Sequence, residues 1–172
     1  MIESHGNAPL AHFVGQSIWL DGSEDDVISS DTLRSLFRER IAPDALTSRF
    51  LTTELCRGLE DRMAPRTSRF HYLAMNEMIS TRQVLREMRR LRVRPALFSE
   101  LVRLYRAHPI HCTYNSIVAL GSATDESGEM RAPYLCRPDE EWTQIMDLTP
   151  YLQEKWPKVV RFLVASVSGR SE

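Results

Sequence analysis

Apolar residues recur at every second position near the two ends of this chain and at every third or fourth position between them, and that change of period limits the folds open to it. From His12 to Leu20, Val14, Ile18 and Leu20 share one parity with Gln16 among them, which predicts a strand with one buried face. Asp21-Gly22 and the acidic loop Ser23–Asp26 end it. Beyond Ser30 the period becomes helical. Ser30 or Asp31 can cap a helix with Leu33, Leu36, Phe37 and Ile41 on one stripe. Pro43 suits the first turn of a second helix, whose inner face is Leu51, Leu55, Leu59 and Met63, and Pro65 stops it. A third helix is expected from Leu73 to Leu91, burying Met75, Met78, Ile79, Leu85 and Met88. Pro95 opens a fourth, with Leu97, Phe98, Leu101 and Tyr105 inward, ending near His108-Pro109.

The period returns to two after Pro109. Ile110, Cys112, Tyr114, Val118 and Leu120 share a parity, Asp125-Glu126-Ser127-Gly128 can form a hairpin turn, and Met130–Cys136 reads as the return strand. Pro133 should confine that strand to an edge or a bulge, because proline cannot donate to a ladder. Pro138-Asp139-Glu140-Glu141 opens a helix with Trp142, Ile145 and Met146 inward, and Thr149-Pro150 starts another short one. Residues 158–167 favour a strand. The expectation is one α+β domain over residues 1–172: about four central helices packed on an antiparallel sheet made from the N-terminal strand and the C-terminal strands.

Composition narrows the function classes. A chain of 172 residues is the size of one ordinary domain and buries enough surface to stand without staples. Cys56, Cys112 and Cys136 are odd in number and have no Cys-x-x-Cys spacing, so buried free thiols in a reducing, cytoplasmic setting are expected. The first residues lack a signal-peptide pattern, and the longest strongly apolar stretch, Val159 to Val167, is too short to span a bilayer and contains Arg161. No membrane association is expected. Trp19, Trp142 and Trp156 lie in apolar patterns and should sit at least partly in the core or in an oligomer seam.

Charge is unevenly distributed. Residues 1–30 carry −5, residues 31–110 carry +7 and residues 111–172 carry −3. The densest basic run is Arg82, Arg86, Arg89, Arg90, Arg92, Arg94, Arg103 and Arg106. Arg82, Arg86 and Arg90 are four apart and stack on one helix face, so Arg82, Arg86, Arg89 and Arg90 are the candidate partner-binding residues. Of the 22 basic residues only Lys155 and Lys158 are lysine, a skew that a GC-rich coding sequence produces everywhere, so the guanidinium count alone does not point to phosphate.

Catalytic signatures are missing from the sequence. It has no G-x-S-x-G, Walker A or G-x-G-x-x-G pattern. His108, His111 and Cys112 are metal-type ligands, but on a strand His111 and Cys112 point to opposite faces, and no metal or other cofactor is expected. Asp21-Gly-Ser23-Glu-Asp25 begins like a calcium loop and then fails, with Asp26 at the sixth position and Thr32 at the twelfth. The leading expectation is a small non-enzymatic regulatory or adaptor protein acting through protein contacts, with self-association of copies compatible with it. The alternatives are a nucleic-acid-binding regulator using the arginine face, which the slightly acidic whole chain disfavours, and a small-molecule-binding or catalytic α+β domain.

Overall fold

Ten elements are present in the computed structural model, which describes residues 10–21, 67–107, 116–122, 124–126, 129–136 and 145–166. They are β1 (Ala11–Asp21), β2 (Thr67–Met75), α1 (Thr81–Arg90), β3 (Val93–Pro95), α2 (Phe98–Ala107), β4 (Ser116–Val118), β5 (Thr124–Glu126), β6 (Glu129–Cys136), β7 (Ile145–Pro150) and β8 (Val160–Ser166). The strands form one eight-stranded sheet, in which β8 is central. On one side β8 pairs antiparallel with β2, from Phe70↔Ala165 to Ala74↔Arg161. Its other edge is shared by two short strands laid end to end: β4 runs parallel to residues 160–162, and β3 runs antiparallel to residues 164–166.

The close approach where β3 and β4 meet requires a glycine. Gly121 donates from its N–H to Ala96 O at 2.9 Å, and a Cβ there would lie 2.6 Å from Ala96 O and 2.8 Å from Pro95 O.

Among the described residues each face of the sheet carries one helix. Leu73, Met75, Val118, Ala132, Val160, Phe162 and Val164 form one core with Val84 and Met88 of α1. Alternate residues on the same strands, Phe70, Tyr72, Ala74, Ile117, Leu135, Leu163 and Ala165, are also buried and so face the other way. Arg94 pairs with Ala165 in the β3–β8 ladder and therefore points to this second face, where its guanidinium meets Glu100 of α2. Burial of each large side chain in these two cores contributes about 1.5–3 kcal/mol.

This architecture corrects the expected one. The described residues hold two helices and a mixed, strand-rich sheet, not about four helices on an antiparallel sheet from the chain ends. The helices expected between Ser30 and Pro65 lie outside the described residues. Leu73–Met75 belong to β2: with both faces of that strand buried, its apolar residues run on without alternation and imitate a helix stripe. Pro95 ends β3 instead of opening a helix, and α2 starts at Phe98. Residues 145–150 form β7 along β6, so Ile145, Met146, Thr149 and Pro150 are in a strand, not in helices.

Pro133 does not mark an edge. Arg131 pairs with Thr124 of β5 and with Pro150 of β7, so β6 is flanked on both sides. Proline is accommodated because the ladder opposite it is interrupted: the β4 pairing ends at Val118↔Tyr134 and the β5 pairing begins at Thr124↔Arg131, which leaves Ala132 and Pro133 without a ladder partner on that side. The Pro133 carbonyl still accepts from Ala119 N at 2.9 Å.

Candidate functional site

Helix α1 is held rigidly before any charge is considered. Ser80 caps it, its hydroxyl accepting from Gln83 N while Gln83 Oε1 accepts from Ser80 N at 2.8 Å, a reciprocal capping box. Thr81, the first helical residue, joins α1 to residues 151–156, the chain that returns from β7 to β8. Its N–H donates to Gln153 O at 2.9 Å and its hydroxyl donates to Tyr151 O at 2.5 Å. The same oxygen accepts from Gln153 N at 3.1 Å and from Trp156 Nε1 at 2.9 Å. Val84 and Met88 seat the inner face.

The outer face carries the candidate arginines. Arg82, Arg86, Arg89 and Arg90 are all exposed, and the structure brings them together on one helix as their spacing predicts. Arg90 is held by Glu87, Nε to Oε2 at 2.9 Å. The rest of the basic run divides by role. Arg94 is structural: it grips buried Glu100 through two hydrogen bonds of 2.7 and 2.6 Å, and Glu100 also accepts from Leu97 N at 2.8 Å, closing the start of α2. Arg103 is half-buried, and Arg92 is exposed at the C-terminal end of α1 with φ 57°.

A second group of side chains escaped the sequence reading. Phe13 pairs with Leu73 and Trp19 with Arg69 across β1 and β2, so both rings lie on the α1 side of the sheet with Arg69 and His71. Between them β1 gains two residues, since Val14 pairs with Tyr72 but Ile18 with Phe70; an even insertion returns the strand to the same face, and Gly15 takes the positive φ of 72° there. Phe13 is 41% and Trp19 63% exposed, so of the two expected settings for Trp19, core or oligomer seam, this chain does not supply a core. The Phe13 and His71 rings lie 4.8 Å apart, and the Arg69 guanidinium sits 5.5 Å from the Trp19 ring. His71 Nε2 is 3.3 Å from Ser166 Oγ. Burial and then the Arg69 charge push the His71 pKa below its usual value, leaving the ring neutral at pH 7. The signal for this group was the parity of Arg69, His71 and Leu73, masked by burial of the intervening residues.

Trp156 meets expectation: it is buried, edge-on to Phe162 with centroids 5.2 Å apart. Trp142, Cys56, Cys112, His108, His111 and the acidic loop lie outside the described residues, as does the side chain of Cys136. Among the described residues no cluster of three or more His, Cys, Asp or Glu could hold a metal, and no helix is long and apolar enough to cross a membrane. Comparison with protein-family models, with curated proteins and with solved structures found no match to this chain.

Proposed function

We propose that this protein is a small non-enzymatic regulatory or adaptor protein that works by holding an acidic protein partner on the outer face of α1. The observation that carries this reading is the pairing of a fixed helix with unspent charge. Capping, the Thr81 junction and the Val84–Met88 seat immobilise α1, while Arg82, Arg86 and Arg89 stand in solvent with no acidic partner among the described residues. One exposed ion pair contributes only about 0–1 kcal/mol, so the device is a row of guanidinia at fixed spacing, which steers and orients an acidic surface. A fluorescein-labelled polyglutamate peptide tests it. Salt-sensitive binding that disappears in the Arg82→Glu, Arg86→Glu, Arg89→Glu triple variant supports the reading. Equal binding by a variant with an unchanged melting temperature sinks it.

A further inference from the structure

We propose that the α1-side surface of β1 and β2, formed by Phe13, Trp19, Arg69 and His71, binds single-stranded nucleic acid by stacking. This goes beyond the partner contact proposed for α1 and uses different residues. Phe13 and Trp19 keep large parts of their rings in water on one face of β1, although the same face of the sheet is buried a few residues away under α1. A half-buried imidazole lies beside Phe13, and a guanidinium lies over Trp19. Unpaired bases offer π faces to such rings, whereas a duplex hides them in its own stack. The cations are placed to meet phosphates at the same end. Helix α1 leaves β2 at Met75 and runs back toward its Arg69 end, and Arg92 directly precedes Val93, which pairs with Ser166 beside His71. Arg69 and Arg92 are both exposed there. Glu77 sits at the opposite end of β2. With the whole chain at −1, long-range attraction for a polyanion is weak, so stacking carries the affinity and few phosphates are neutralised.

The test uses the full chain with fluorescein-labelled oligo(dT) and oligo(rU) of about 12 nucleotides, a duplex of the same length, and the polyglutamate peptide. Single strands should bind, with a shallow salt dependence of about −1.4 log units per log unit of salt for two phosphates. The duplex should bind at least about tenfold more weakly, because its bases cannot reach the rings. Phe13→Ala and Trp19→Ala should each weaken single-strand binding about 5- to 150-fold, and Trp19→Phe, which keeps a ring, should lose far less. Arg69→Glu should also weaken it. Both rings are exposed, so the melting temperature of each variant reports whether the sheet is intact, and Trp19→Leu with Phe13→Leu, which keep apolar bulk without a ring, serve if an alanine variant is not. Absence of single-strand binding at about 50 mM salt, equal affinity for the duplex, or ring variants that weaken polyglutamate binding instead would each overturn the proposal.

Discussion

The indole Nε1 of Trp156 donates to the hydroxyl oxygen of Thr81 at 2.9 Å, joining residues 75 apart in sequence. A threonine hydroxyl has one proton to give and two lone pairs to offer, and Thr81 uses all three, toward Tyr151 O, Gln153 N and Trp156 Nε1. The return chain from the β7 edge to the centre of the sheet would otherwise be held by few ladder bonds. This hydroxyl and the Trp156 N to Ile79 O bond of 2.9 Å fasten it to the start of α1.

Thr81→Val keeps the shape of the side chain and removes the three hydroxyl bonds while leaving the backbone bond from Trp156 N to Ile79 O in place. It strands the Trp156 indole Nε1–H in a buried site, where an unsatisfied group costs about 1–3 kcal/mol. We expect a loss of about 3 kcal/mol in denaturant unfolding, with Thr81→Ser close to the unsubstituted protein. Equal stability of the Val and Ser variants would show that the hydroxyl is not the fastening.

What the sequence disclosed and what it hid divide along one physical line. The β1 strand was legible because one of its faces is wet, and the α1 arginine face because solvated residues obey the helix period without competition from packing. Strand β2 was misread from Leu73 onward because Tyr72, Leu73, Ala74 and Met75 are all buried, which erases the period of two. Residues 145–150 were misread because Thr-Pro resembles a helix start unless the partner strand is known. The platform of Phe13, Trp19, Arg69 and His71 depends on cross-strand register and on a two-residue insertion in β1, neither of which a single strand records.

Gly121→Ala tests the junction of β3 and β4. The added carbon would sit 2.6 Å from the Ala96 carbonyl oxygen, and that contact is backbone held in the β8 ladder through Ala96 N to Leu163 O at 3.0 Å. Neither chain can yield without breaking pairing. The expected cost is about 3 kcal/mol or more, read as a lower denaturation midpoint at unchanged slope.

Glu100→Ala should be more damaging than any substitution on the outer face of α1. It removes the partner of Arg94 and the acceptor of Leu97 N together, at a site where the carboxylate is fully buried. Breaking a buried pair from one side costs about 3–5 kcal/mol, and the partial exposure of Arg94 places this case at the lower end. By contrast Arg86→Ala should change stability by less than about 0.5 kcal/mol. Urea unfolding of the two variants side by side checks the contrast.

Acid should weaken the β1–β2–β8 region through His71. Its pKa in the folded protein is lowered, first by burial and then by the Arg69 charge, so the unfolded chain binds this proton more readily than the folded one. Above the unfolded value of about 6.5 both states are neutral there and the group contributes nothing to the pH dependence. As pH falls from about 6.5 toward the folded pKa, the unfolded state gains protons first and stability declines; below the folded value the loss levels off. The melting temperature should therefore drop between pH 7 and pH 5.5, and His71→Gln should flatten that part of the profile while leaving the carboxylate-driven fall at lower pH. The imidazole NMR titration of His71, followed in the folded protein, gives the sign directly. A midpoint above that of a free histidine would reverse the assignment and make His71 a group that acid strengthens.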